Sequence, residues 1–293
     1  MASGSVAETL LPTPLVGIDW LARHLDAPDV KVLDGSWHMP ATARDGRAEF
    51  EAGHIPGARF FDIDEIADRE SPYPHMLPTA DAFAAAAGAL GLTNRDRIVI
   101  YDTGGLFGAA RVWWMVRAFG HDRVAVLDGG LAAWQAAGLP LETGTAAAEP
   151  ANFEAKLRPE LVVSVDEVAR ASAHGSKPIA DARSAGRFEG REPEPRPGLP
   201  SGHMPGSRNL PHTSLLSGEG RLKAPDALAA DFRKAGLDPA EPMIASCGSG
   251  VSACVIALAG MVLGSPSIAV YDGSWAEWAS ASDRPIRTGP ADS

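Results

Sequence analysis

Cysteine is nearly missing from this chain: its 293 residues hold two, Cys247 and Cys254. Two thiols so close together cannot staple a chain of this size, so a reduced, cytoplasmic setting is expected. Long apolar runs are missing as well. The longest, Ala253 to Gly264, falls short of the roughly 20 residues a bilayer demands, which excludes a membrane-spanning helix. The opening MASGSVAETLL has no basic segment followed by an apolar stretch, so no signal peptide is expected. Positive charge is in deficit: 26 Lys and Arg stand against 37 Asp and Glu, for a net charge of -11. That balance excludes nucleic acid and anionic membranes as partners. An anionic substrate has to be held by local basic residues. His, Cys, Asp and Glu nowhere cluster at metal-ligand spacing, and neither a metal nor an organic cofactor is expected.

What is present is a globular composition, with 45% hydrophobic and 22% charged residues. The length suits one large domain or two ordinary ones. Internal similarity decides for two. Gly53-His54-Ile55-Pro56-Gly57-Ala58 returns as Gly202-His203-Met204-Pro205-Gly206-Ser207. Leu33-Asp34-Gly35-Ser36 has a weaker partner in Ala180-Asp181-Ala182-Arg183, and Leu127-Asp128-Gly129-Gly130-Leu131 returns as Tyr271-Asp272-Gly273-Ser274-Trp275. The separations are 149, 147 and 144 residues. Landmarks that keep both order and distance argue for duplication. The expected boundaries are 12–140 and 161–288, with 141–160, rich in Ala, Pro, Thr and Glu, as linker.

Each half reads as α/β. Short β-rich runs lie at Val30–Asp34, Arg97–Tyr101 and Val124–Asp128, then at Lys177–Asp181, Pro242–Ser246 and Ser267–Tyr271. Helical patterns cover Ala80–Leu90, Ala109–Phe119 and Ala253–Leu263. Alternating strands and helices imply a mostly parallel sheet flanked by helices on both faces, with ligands beyond the carboxyl ends of the strands.

The repeat separates scaffold from chemistry. His54 and His203 occupy the same turn in both halves and read as scaffold. At the end of the central strand the halves diverge: Asp102 in the first stands where Cys247 stands in the second. The loop Cys247-Gly248-Ser249-Gly250-Val251-Ser252 follows a strand and precedes a helix. Backbone N–H groups in such a loop can converge on one point, and the helix N-terminus adds partial positive charge. Both favour the thiolate, the reactive form. Cys254 falls within the apolar run and reads as packing. Six residues after the strand-end aspartate the first half has Pro40 and the second Arg187, so Arg187 is particular to the second half. Taken by themselves, Arg196 reads as a solvated residue in a Pro-rich loop, His75 as an ordinary loop histidine, Asp64 as a loop acid and Ser249 as a turn hydroxyl.

The Cys247–Ser252 loop, the tandem GH(I/M)PG turns and the closing Tyr271-Asp272-Gly273-Ser274-Trp275-Ala276-Glu277-Trp278 resemble the two-domain rhodanese superfamily, and within it the branch that uses 3-mercaptopyruvate. Phe60-Phe61-Asp62-Ile63-Asp64 and Arg111-Val112-Trp113-Trp114-Met115 extend the likeness over nearly the whole chain. The family's usual loop ends in Thr; Ser252 here keeps the hydroxyl and loses a methyl group. The resemblance implies tandem rhodanese-like domains, the first without the cysteine, and a site between them. It implies a sulfurtransferase that carries sulfur from 3-mercaptopyruvate on a Cys247 persulfide to a thiol such as thioredoxin or a small thiol, or to cyanide. It also implies substrate-binding roles for Arg187, Arg196 and the loop residues Gly248, Gly250, Val251 and Ser252, and a Ser249-His75-Asp64 proton relay. A monomer is expected.

Three alternatives share parts of this pattern. Thiosulfate-preferring relatives carry Arg and Lys directly after the cysteine, where this chain has Gly248 and Ser249. One charge pair at 4 Å and an effective dielectric of 20 is worth about 4 kcal/mol before desolvation, so the neutral loop disfavours the dianion. A cysteine phosphatase needs an arginine six positions after the cysteine, where Ala253 stands. A non-catalytic binding module has no need of the thiol.

Overall fold

The computed structural model describes residues 10–145, 148–265 and 267–291. Residues 1–9, which carry most of the segment read for a signal peptide, and Ala146 and Ala147 of the expected linker lie outside the described residues.

Among the described residues the chain forms two five-stranded parallel sheets of the same topology. The first contains β1 (Leu15–Val16), β2 (Val30–Asp34), β3 (Arg59–Phe60), β4 (Arg97–Tyr101) and β5 (Val124–Leu127), in the spatial order β1-β5-β4-β2-β3. The second contains β6 (Val162–Val163), β7 (Ile179–Asp181), β8 (Ser207–Asn209), β9 (Met243–Ser246) and β10 (Ile268–Tyr271), in the order β6-β10-β9-β7-β8. The β-rich runs therefore fall where the sequence places them, four of them shortened by one or two residues at one end. The helices run Ala80–Ala89, Phe107–Ala118 and Ala253–Val262, within two residues of expectation. No helix among the described residues is long and apolar enough to cross a membrane.

The two-residue period of the strands sorts their side chains between cores. Leu33, Ile98, Ile100 and Val126 point to one face, Val32, Val99, Tyr101 and Leu127 to the other. In the second half Ala180, Met243, Ala245 and Val270 face one core and Ile179, Ile244, Ala269 and Tyr271 the other. One of these clusters is continuous across both halves. Its centre is the contact between helices Phe107–Ala118 and Ala253–Val262. Each follows the central strand of its sheet, and each is apolar nearly all round, as a helix enclosed between layers must be. Because these helices pack together, the loops that open them, after Tyr101 and after Ser246, are brought to one end of the joint core.

The stretch read as a linker is tied down where it is described. Ala151 N donates to Gly88 O (2.9 Å), Lys156 N to Phe119 O (3.0 Å) and Arg158 N to Ala118 O (2.7 Å), and Phe153 is buried against Phe83. The GH(I/M)PG histidines are both buried. Each Nδ1 bonds a carbonyl, Phe50 O for His54 and Phe188 O for His203, and each ring stacks on that phenylalanine at 3.9 Å. They close the fold and stand apart from the cleft described below.

Candidate active site

Cys247 follows β9, and its main chain is held by the structure that follows β10. Trp275 N donates to Cys247 O (3.0 Å) and Ala276 N to Gly248 O (2.9 Å). Ser274 Oγ accepts from both Cys247 N and Gly250 N, each at 3.1 Å, donates to Tyr271 O at 2.7 Å, and lies 4.0 Å from Cys247 Sγ. Ser274 is fully buried and holds φ 48, in the left-handed region that a non-glycine residue rarely occupies. Its repeat counterpart is Gly130, at φ 55. The second half thus keeps a side chain where the backbone favours glycine, and its hydroxyl anchors the cysteine loop.

With two amides engaged by Ser274, those of Gly248, Ser249, Val251 and Ser252 have no hydrogen-bond acceptor among the described residues. They lie along the wall of a cleft of about 570 Å³, open mouth included, that is also lined by Cys247, Arg187, Arg196, Trp37, Phe107 and His212. Cys247 is only 2% exposed, but its surroundings are this cleft. The loop glycines serve different ends. At Gly250, φ is +75, and a Cβ would sit 2.6 Å from Asp272 O. At Gly248 a Cβ would sit 2.8 Å from Arg187 Nη2, so this glycine makes room for the guanidinium rather than for a turn.

Arg187 is aimed by Glu194, which takes its Nε at 3.2 Å and its Nη2 at 2.5 Å. Glu194 also accepts from Arg183 Nη1 (2.8 Å), and Arg183 pairs with Asp181 at the end of β7 and lies over the Trp275 ring. A buried chain of alternating charge therefore fixes Arg187 at the cleft. Arg196 is half-buried rather than solvated. Burial draws its pKa down and the neighbouring Cys247 opposes that shift, while its Nη2 lies 3.5 Å from His75 Nε2.

His75 is no ordinary loop histidine either: it is buried and has φ 61. Its Nδ1 lies 2.9 Å from Asp64 Oδ1, and Trp37 Nε1 donates to Asp64 Oδ2 at 3.0 Å. The neighbouring His75 is the chief cause holding the Asp64 carboxyl below its usual range. An arginine can only donate, so the 3.5 Å Arg196 contact assigns the lone pair to Nε2 and the proton to Nδ1, which lies close to Asp64 but off hydrogen-bond alignment with it. His75 and Asp64 are brought together as a pair. Ser249 is buried at the cleft, and no hydrogen bond joins it to His75 among the described residues.

Arg111, fully buried in helix Phe107–Ala118, ties the halves together. Nη1 pairs with Asp272 Oδ1 at 2.5 Å and donates to Gly250 O at 3.2 Å, and Nη2 donates to His75 O. Asp272 Oδ2 accepts from Leu77 N at 2.6 Å. One cation thus holds both the His75 segment and the cysteine loop. Cys254 is buried behind that loop, with Sγ 3.2 Å from Gly250 O, and burial pushes its thiol far up. Sequence reading missed Glu194, Ser274, His212 and the buried role of Arg111. Two signals were available: the Gly130/Ser274 contrast between repeats, and a charge inside an otherwise apolar helix.

The arrangement offers a sulfur nucleophile, unpaired amides for a developing anion, two guanidinium groups for a carboxylate, and a polarised imidazole. Comparison with known proteins is consistent with it. The rhodanese-like domain model matches residues 17–137 and 164–281. A human protein named 3-mercaptopyruvate sulfurtransferase is 46% identical over 279 residues, covering 93% of this chain and 94% of that protein. An Escherichia coli K12 protein of the same name is 45% identical over 275 residues, covering 94% and 98%. The crystal structure of SseA from Escherichia coli, described with the rhodanese fold of 3-mercaptopyruvate sulfotransferases, superposes with a TM-score of 0.83 at 44% identity, covering 90% of this chain and 99% of that one.

Proposed function

Since the chain belongs to the rhodanese family, we propose that it is a 3-mercaptopyruvate sulfurtransferase working through a persulfide on Cys247. In the first half-reaction the Cys247 thiolate attacks the donor sulfur and the C–S bond breaks. Its electron pair leaves on pyruvate as the enolate, which then takes a proton. In the second, an acceptor removes the outer sulfur and regenerates the thiolate, giving ping-pong kinetics. The amides of Gly248, Ser249, Val251 and Ser252 stabilise negative charge on the persulfide, in the manner of an oxyanion hole. Arg187 and Arg196 clamp the carboxylate and keto oxygen, a task suited to planar multi-donor groups. His75, oriented by Asp64, and Ser249 are the proposed route for the enolate's proton.

One observation carries the reading: Cys247 lines a cleft whose rim bears Arg187 and Arg196. The loop positions after Cys247 are Gly248 and Ser249, without charge, which favours a carboxylate-bearing monothiol over thiosulfate as donor. The acceptor is a thiol, small or carried on a protein such as thioredoxin, or cyanide. Both halves of one chain supply the cleft, so a monomer suffices. Both cysteines are free thiols, in keeping with a reducing, cytoplasmic setting.

Intact-protein mass spectrometry after 3-mercaptopyruvate is added without acceptor tests the proposal. One sulfur atom gained per chain, mapped to Cys247 and matched by one pyruvate, is the expected result. Cys247→Ser should gain none and lose turnover by more than about a thousandfold while remaining folded. Sulfur on Cys254, or turnover surviving in Cys247→Ser, would remove the nucleophile from the scheme.

A further inference from the structure

The cleft is lined by an imidazole, that of His212, which the first half-reaction leaves unused. His212 lies in the turn after β8, where its backbone N and its Nδ1 both approach Ala182 O, at 3.1 and 3.2 Å. A carbonyl can only accept, so Nδ1 carries the proton and Nε2, on the opposite edge of the ring, carries the lone pair. Nε2 has no hydrogen-bond partner among the described residues, and the ring lines the cleft with Cys247, meeting the Phe107 ring edge-on at 5.9 Å. His75 differs, since its Nε2 lone pair is directed at Arg196. Of the other side chains lining the cleft, the arginines are cations and Ser249 and Ser252 offer only hydroxyls. Burial, reinforced by nearby Arg187, lowers the His212 pKa and keeps the ring in its neutral, proton-accepting form.

We propose that His212 is the general base of the second half-reaction, taking the proton of an incoming acceptor thiol at Nε2. The inference rests on the persulfide reading above. The acceptor R–SH gives its proton to Nε2, and R–S⁻ attacks the outer sulfur of Cys247–S–S⁻. The S–S bond breaks, its electron pair returns to Cys247 as thiolate, and R–S–S⁻ departs. The imidazolium then releases its proton to product or water. Atoms and charge balance without an external oxidant or reductant. An acceptor that arrives already as an anion has no use for the base.

That distinction supplies the test. Wild type, His212→Phe and His212→Gln are loaded with 3-mercaptopyruvate and desalted. Loss of the persulfide is then timed after mixing with 2-mercaptoethanol or with sulfite, which needs no deprotonation. General-base assistance is worth roughly 10²–10⁴-fold. The ratio of thiol rate to sulfite rate should therefore fall at least tenfold in both variants. Because the ratio is taken on one loaded preparation, a partly folded variant does not distort it. An unchanged ratio, or equal falls with both acceptors, overturns the assignment. Failure of wild type to load sulfur overturns the underlying reading instead.

Discussion

At the end of β4 the chain places Asp102, and at the equivalent end of β9 it places Cys247. The surrounding main chain matches: Leu131 N donates to Asp102 O and Trp275 N to Cys247 O, each at 3.0 Å, while Gly35 N to Tyr101 O and Ala182 N to Ser246 O both measure 2.8 Å. The side chains do opposite things. The Asp102 side chain accepts from Gly104 N (3.2 Å) in its own loop and from Ala109 N (3.0 Å) in the helix that follows. A thiol is a poor acceptor: Cys254 N, the counterpart of Ala109 N, turns instead to Val251 O (3.2 Å), and Ser249 N, the counterpart of Gly104 N, has no acceptor among the described residues. The second-half loop is anchored from outside, by Ser274, and the residues whose amides remain unpaired line the cleft. One scaffold thus serves two ends, according to whether the strand-end side chain accepts from the loop that follows it or presents a thiol at the cleft.

Three other repeat pairs sharpen this contrast. The largest effect is expected at Asp34, whose counterpart Asp181 is paired with Arg183 while Asp34 has Ser36 in the arginine's place. Burial raises the Asp34 pKa from 3.8 to about 6. The folded state therefore binds its proton more tightly than the unfolded state does. The corresponding stability is fully present below about pH 4, is lost as pH rises to about 6, and is then flat; the loss amounts to about 3 kcal/mol. Urea unfolding from pH 4 to 7 should show this slope in wild type and a much flatter line in Asp34→Asn. Equal slopes would remove Asp34 as its source.

Arg187, opposite Pro40 in the repeat, comes next. Arg187→Gly should raise KM for 3-mercaptopyruvate roughly 10- to 100-fold, the loss of a charge-assisted bidentate contact. KM for thiosulfate, which has no carboxylate, should rise much less. Equal increases would count against a carboxylate clamp. The smallest effect is expected where the second half is made to copy the first, in Ser274→Gly. Backbone strain is relieved, but Cys247 N and Gly250 N lose their acceptor. Sulfur loading should slow several-fold, a loss of about 1 kcal/mol, with little change in KM. A loading rate equal to wild type would show that the loop holds its shape without the hydroxyl.

The strands were legible because their apolar runs are short, β-rich and bounded by Gly, Pro and Asp. Cys247 and Arg187 were legible because the first half offers a control lacking both. Arg196, His75 and Asp64 were not legible from their own neighbourhoods. Arg196 and His75 meet across 121 residues of chain, in loops whose local composition is that of any turn. Glu194 escaped notice because a glutamate in a Pro-rich loop usually faces solvent, whereas here its side chain is 2% exposed between two arginines. His212 has the same history, a turn histidine given meaning only by the cleft it borders.

The sequence by itself determined the duplication, the parallel α/β layers and the one position where a thiol replaces a carboxylate, because periodicity and repeat spacing are properties of the chain alone. Only the tertiary structure decided which polar groups share the cleft. Packing helix Phe107–Ala118 against Ala253–Val262 brings together loops far apart in sequence, and buried charge networks through Arg111 and Glu194 then fix their side chains. Such pairings depend on distances across the joint core, which no local pattern of residues encodes.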